Sequence, residues 1–175
     1  RRLTSKAPIT ETLAGALVML APWRGDRVLV DPFCGCGTFP IEAAMMAARM
    51  APGVNRSFTA ENWKNLVARK LWYEAATEAG DQADEGIKTD IQGYDIDPDM
   101  VKAARENARE AGVDHLIHFQ ARPVSELRHP KKYGFLITNP PYGERLEERE
   151  ALPGLYREIG EAFSRLDDWS MYLIT

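Results

Sequence analysis

Cysteine is scarce in this chain of 175 residues: there are two, Cys34 and Cys36, one residue apart. A pair this close staples no distant segments. A disulfide framework is excluded, and a reducing compartment fits. Three histidines, His115, His118 and His129, are scattered, and no second Cys or His pair stands at ligand spacing, so no metal site is expected. No apolar run approaches the roughly 20 residues that span a bilayer. No signal peptide is visible either, and the expected location is cytoplasmic, away from membranes. Positive charge is also short, with 22 Lys and Arg against 26 Asp and Glu, a net charge of -4. Arg1, Arg2 and Lys6 open the chain and Lys131 and Lys132 stand together later, but no long basic stripe joins them. A nucleic-acid grip usually shows such a stripe. Either the substrate is small or another domain holds the phosphates. Two glycine signatures are missing as well, the full G-x-G-x-x-G and G-x-x-x-x-G-K-[ST]. A dinucleotide or a triphosphate is not what the glycine loop of this chain advertises.

What is present reads as one α/β domain. Hydrophobic residues make up 45% and charged residues 27%, ordinary for a globular protein, and the length allows one real core. From Thr10 the pattern is helical, with Thr10 as cap and Leu13, Leu17, Leu20 and Ala21 on one face. Pro22 and Gly25 end that helix. Residues 28–30 form a short buried strand ending at Asp31, and the sequence DPFCGCGT then leads into an Ala- and Met-rich helix over 41–50. Strand, glycine turn and helix make the first unit of a doubly wound sheet. Residues 51–60 are loop, and 61–80 are expected as an amphipathic helix with Trp63, Leu66, Val67, Leu71 and Ala75 apolar. The whole of 51–90 is a helical insertion before the second strand, and its aromatics Trp63, Trp72 and Tyr73 are expected in a core or interface.

The second strand, 91–94, ends in Asp95-Ile96-Asp97-Pro98. Asp97 caps a helix over 100–111 that Pro98 opens and Gly112 stops. A third strand runs over 115–120, a loop over 127–132 and a fourth strand over 133–138. A helix is expected over 155–166 and the start of another strand over 170–175. The expected division is a basic lead-in segment with its helix, 1–24, and a core, 25–175. Since the sequence stops inside an apolar run, a fragment lacking its C-terminal strands is expected. The stretch 144–150 (ERLEERE) reads as a solvated loop and helix start.

Three stretches carry chemistry. Asn139-Pro140-Pro141-Tyr142 follows the apolar run YGFLIT, at the strand end where open α/β sheets bind ligands. Two prolines make a stiff loop. The Asn139 amide oxygen and the Pro140 carbonyl are two fixed acceptors able to grip a planar NH2 group, and Tyr142 can stack on the ring that carries it. The 31–37 loop pairs a strand-end carboxylate, Asp31, with a short G-x-G turn. That suits a nucleoside with an amino-acid tail, Asp31 accepting from its ammonium directly or through water. The small residues Cys34, Gly35, Cys36 and Gly37 pack under such a ligand. Asp95, at the end of the second strand, suits both ribose hydroxyls.

In this order and spacing VLVDPFCGCGTFPIEAA, GYDIDPDMVKAARENAREAG and ITNPPYGER resemble class I S-adenosylmethionine-dependent methyltransferases of the amino-methylating type. D-P-F-C-G-x-G-T with N-P-P-Y-G-E-R is similar to one branch, the ribosomal RNA guanine-N2 methyltransferases that follow a THUMP RNA-binding domain. Members of that branch often carry the label of N6-adenine-specific DNA methylase. The resemblance implies a Rossmann-like, mostly parallel sheet with helices on both faces. It implies S-adenosyl-L-methionine as cofactor, S-adenosyl-L-homocysteine as product, and an upstream THUMP-type domain supplying the basic surface for ribosomal RNA. By position it gives the methionine end of the cofactor to Asp31, Pro32, Phe33, Cys34, Gly35, Gly37 and Thr38. The ribose and its surroundings fall to Asp95 and Ile96, the target amine to Asn139 and Pro140, with Asn139 also counted among the cofactor-binding residues, and the base to Tyr142. Thr10 is a candidate for the cofactor carboxylate. Many relatives read the cofactor adenine with an Asp after the third strand. Here 120–124 carry no acid, leaving backbone groups near Arg122, or Glu126, for that task. The alternatives are an adenine-N6 DNA methyltransferase and, from another class, a non-catalytic module that holds a nucleoside. A nucleotide-dependent oxidoreductase is disfavoured by the incomplete glycine signature.

Overall fold

Alternation along the strands sorts the core into two layers. Leu29, Ile91, Ile117, Phe119, Phe135 and Ile137 face one way and pack with Ala14, Val18, Phe39, Ala44, Val101 and Ala104. Val28, Val30, Tyr94 and Leu136 face the other way, onto Val124, Leu127, Ile159, Ala162 and Leu166. Burial on both faces is what makes these strands near-continuous apolar runs. Each such Leu, Ile or Phe contributes roughly 1.5–3 kcal/mol by leaving water.

The computed structural model describes residues 9–53, 56–84, 86–142 and 146–174. Its strands are β1 (Leu29–Asp31), β2 (Ile91–Asp95), β3 (Ile117–Ala121), β4 (Phe135–Thr138) and β5 (Ser170–Leu173). All neighbouring pairs are parallel, in the order β3-β2-β1-β4-β5. Strand order reverses between β1 and β4, so their carboxyl ends bound the crevice where such sheets take ligands. Helices α1 (Glu11–Leu20), α2 (Thr38–Ala47) and α4 (Pro98–Glu110) supply residues to the first layer, and α5 (Leu146–Phe163) to the second. α3 (Arg69–Asp81) buries no residue. As read from the sequence, Asp97 caps α4, its Oδ1 accepting from Asp99 N at 2.8 Å, and Pro98 opens it. No helix among the described residues is long and apolar enough to cross a membrane.

Three expectations are corrected. The buried positions of α1 are Ala14 and Val18, while Leu13 and Leu20 are 50% and 78% exposed. Small side chains let α1 lie close to the alanine-rich α2 and leave Leu13 and Leu20 outside, while Leu17 and Ala21 of the expected face do pack on the core. Second, the helix expected over 61–80 is broken: a 3-10 turn spans Thr59–Asn62 and α3 starts only at Arg69. Trp63 and Tyr73 are more than half exposed, so the aromatic stripe is not core. Third, α5 starts at Leu146, ahead of Pro153. Pro153 and Gly154 both lie on the exposed side, where the helix absorbs one lost hydrogen bond.

Candidate functional site

β1, β2 and β4 end side by side, and each delivers one of the three chemical stretches to the same edge of the sheet. The loop after β1 turns into α2 through Gly35 at φ 52 and Gly37 at φ 90. That left-handed backbone favours glycine. At Gly37 there is also no room: a Cβ would lie 3.0 Å from Ala104 Cβ and 3.1 Å from Phe119 Cζ. Gly37 is the N-cap of α2 and offers no side chain to its first amides. The loop is held from beneath. Cys34 N donates to Tyr94 O at 2.8 Å, Gly35 N to Asp95 Oδ2 at 2.9 Å, and Asn107 Nδ2 to Cys36 O at 3.0 Å. Cys34 and Cys36 are buried free thiols. Burial, with Asp31 and Asp95 close by, pushes the Cys34 thiol up, so it stays neutral and acts as packing.

Asp31 is 1% exposed. Its Oδ1 accepts from Phe33 N at 3.1 Å and from Thr138 Oγ1 at 2.6 Å. No cation among the described residues pairs with it. Burial raises its pKa to about 7, the two hydrogen bonds oppose the rise, and the nearby Asp95 adds to it. Asp95 spends one oxygen on Gly35 N and the other on Asp97 N, at 2.9 Å each. Ile96, next to it, is 76% exposed, an apolar side chain presented at the mouth of the crevice. Pro32 and Thr38 are buried and Phe33 is half-buried within the same loop.

Beyond β4, Asn139 Oδ1 is buried and has no hydrogen-bond partner. Such an acceptor is worth about 1–3 kcal/mol less than a satisfied one, so native proteins leave few of them. Pro140 is buried, Pro141 exposed, and Tyr142 is 42% exposed. Partial burial and the neighbouring Tyr156 push the Tyr142 phenol up, keeping it neutral. Gly143, Glu144 and Arg145 lie outside the described residues.

Thr10 stands at the N-cap of α1 with an extended backbone, but its side chain makes no capping bond, against expectation. Its hydroxyl is on an exposed residue. The stretch considered for adenine is partly committed: Arg122 N donates to Asp95 O at 2.8 Å. The Arg122 guanidinium lies 5.3 Å from the Tyr94 ring centre and also bonds the Glu126 carbonyl. Glu126 itself is exposed in a 3-10 turn.

Sequence reasoning missed two residues here. Thr138 is fully buried and ties the β4 end to Asp31, so the Asn139 loop and the glycine loop share one hydrogen bond. A hydroxyl at the end of an otherwise apolar strand was the available signal. Asn107, 3% exposed, holds the glycine loop from α4. A polar residue on the alanine face of that helix marked it.

The family model UPF0020, described as RMKL-like, methyltransferase domain, matches residues 1–175. The chain is 46% identical over 169 residues to "Putative RNA methyltransferase YpsC" of Bacillus subtilis (strain 168), covering 97% of this chain and 44% of that protein. It is 43% identical over 162 residues to "Ribosomal RNA large subunit methyltransferase K/L" of Vibrio campbellii (strain ATCC BAA-1116), covering 90% of this chain and 23% of that protein. Among solved structures, SMU.472, titled a putative methyltransferase complexed with SAH, superposes with a TM-score of 0.91 at 44% identity, over 97% of this chain and 45% of its own. The chain thus spans less than half the length of these relatives.

Proposed function

The chain belongs to the UPF0020 family of RMKL-like methyltransferase domains, and on that premise we propose that it methylates an exocyclic amine of an RNA base. The amine is guanine N2 of large-subunit ribosomal RNA, and the cofactor S-adenosylmethionine. The observation that carries the reading is the buried Asn139 Oδ1 with no partner. It is an acceptor waiting for a donor that a nucleobase amine supplies.

The residues present also fit the cofactor. Asp31 is a buried carboxylate without a cation, suited to an ammonium group. Asp95 would take the ribose hydroxyls, Ile96 would offer an apolar surface beside them, and Gly35 and Gly37 would let the backbone approach. The rest of the 31–38 loop would hold the methionine end, with the exposed Thr10 hydroxyl a further donor for its carboxylate. When bound, S-adenosylmethionine supplies an electrophilic methyl group on a sulfonium. An aryl amine is a poor nucleophile because its lone pair is conjugated with the ring. Asn139 Oδ1 and the Pro140 carbonyl accept its two hydrogens, which favours the pyramidal form with the lone pair free. With its lone pair free, the amine nitrogen held by Asn139 and Pro140 would be positioned to accept that methyl group, and its extra proton would pass to water. Tyr142 supplies a ring face for the base. Preorganised acceptors and positioning carry the rate, with no covalent intermediate on the protein.

Support for RNA comes from the relatives named as RNA and ribosomal RNA methyltransferases. An RNA-binding domain of THUMP type and a cytoplasmic location belong to the same reading. The test is transfer of a labelled methyl group by the intact protein to ribosomal RNA and, in parallel, to single- and double-stranded DNA. Label in guanine of RNA is expected. Label in DNA adenine would replace this reading with N6 methylation, and cofactor binding without transfer to either would make the protein a binder.

A further inference from the structure

The insertion leaves the C-terminal end of α2 and rejoins the sheet ahead of β2, so it stands at the edge away from the glycine loop. It buries little of itself. Phe58 is 38% exposed, Trp63 53%, Leu71 54% and Tyr73 59%, and α3 has no buried residue. A helix of this length without a packed face is marginal in water. Beside it lies a groove of about 570 Å³, lined by Phe58, Trp72 and Tyr73 together with Arg56, Lys64 and Arg69.

The chemistry of the groove is specific. Phe58 and Trp72 are stacked, with centroids 6.2 Å apart at 18°. The Arg56 guanidinium lies 4.7 Å from the Phe58 ring centre, and that of Arg69 5.4 Å from the Tyr73 ring centre. Among the described residues none of these three cations is in an ion pair. Glu61 is the one lining acid, and its Oε1 already accepts from Phe58 N at 2.7 Å. Trp72 Nε1 is buried and has no acceptor. The groove therefore combines an excess of positive charge, three cations against Glu61, with aromatic faces and a donor without a partner, in a chain whose net charge is -4. A nucleotide matches all three: a phosphate for the cations, a base for the rings, and a base or sugar oxygen for the indole N–H.

We propose that this groove is a second RNA contact, taking an unpaired stretch of the RNA whose base reaches Asn139. The proposal rests on RNA being the substrate. α2, 10 residues and about 15 Å long, runs from the glycine loop toward the insertion. A bound strand would tether the substrate and raise its effective concentration at the catalytic edge.

The test is fluorescence anisotropy of a labelled single-stranded oligoribonucleotide with the intact protein, without cofactor, between about 50 and 200 mM salt. The double variant Arg56→Gln, Lys64→Gln should weaken binding about tenfold or more and lower the log–log salt slope by about 1.4, the loss of two phosphate contacts on a single strand. Trp72→Phe keeps the ring and removes the N–H, and should weaken binding about fivefold, as for one neutral hydrogen bond. Circular dichroism checks that each variant keeps its fold. Unchanged affinity and slope in the double variant, while it still methylates RNA, overturns the groove and leaves the catalytic reading standing. Unchanged RNA binding with altered sedimentation overturns it in favour of a protein interface. A wild-type protein that neither binds nor methylates RNA overturns both.

Discussion

Asp31→Asn removes a buried charge and keeps its shape. The amide oxygen can still accept from Phe33 N and Thr138 Oγ1, which now meet at Asp31 Oδ1. What changes is the penalty for burying a carboxylate without a cation, which sets its pKa at about 7 against 3.8 for the free group. The folded state prefers the protonated form. The stability this group contributes is fully present below about pH 4 and is lost as the pH rises to about 7. That displacement corresponds to about 4 kcal/mol. Asn does not titrate, so the unfolding free energy of Asp31→Asn minus that of the wild type should rise by up to about 4 kcal/mol from pH 4 to pH 8. Urea unfolding of both proteins at each pH measures it, and the difference cancels the other carboxylates. A flat difference would refute the claim that burial penalises this charge. The same variant should hold S-adenosylhomocysteine less well at pH 8, by about 1.5–3 kcal/mol for a lost charged hydrogen bond. Equal affinity in calorimetry would remove Asp31 from the ammonium.

Other outcomes follow from the same geometry. Asp95→Ala frees Gly35 N and exposes the ribose position; cofactor affinity should drop by roughly 1–3 kcal/mol in calorimetry. Gly37→Ala forces a Cβ to about van der Waals overlap with Ala104 and Phe119 at a positive φ, so thermal unfolding should show a loss of at least about 1 kcal/mol. Tyr142→Ala should raise KM for the RNA by about 1–3 kcal/mol in binding terms and leave cofactor affinity unchanged, since stacking on the base is what it supplies.

The sequence was most informative where local chemistry dictates structure. Short apolar runs at 28–30, 91–94 and 133–138 announced the strands, and Asp97-Pro98 announced the start of α4. The glycine turn after Asp31 fixed where the first loop stands. The strand ends placed Asp31, Asp95 and Asn139 on one edge because a parallel sheet leaves few other arrangements. Thr138 and Asn107 stood out as polar residues in apolar settings, but their partners depend on which residue lies across the sheet or under the loop, a matter of register and layer rather than local pattern. The face of α1 was misread because size, not hydrophobicity alone, selects what packs on an alanine-rich helix. Of the two places expected for the aromatics of the insertion, core or interface, the core fails for Trp63 and Tyr73 because among the described residues no layer of the sheet extends to cover them.

Asn139 tests the central claim most directly. Single-turnover methyl transfer to RNA by the intact Asn139→Ala protein, with cofactor affinity measured in parallel, separates catalysis from binding. Loss of one preorganised acceptor should slow transfer about 100- to 1000-fold, while affinity for S-adenosylhomocysteine should stay within about twofold because most of the proposed cofactor contacts lie at the ends of β1 and β2. Near-normal transfer by Asn139→Ala would contradict the account and reduce Asn139 to a polar residue in a proline-rich turn.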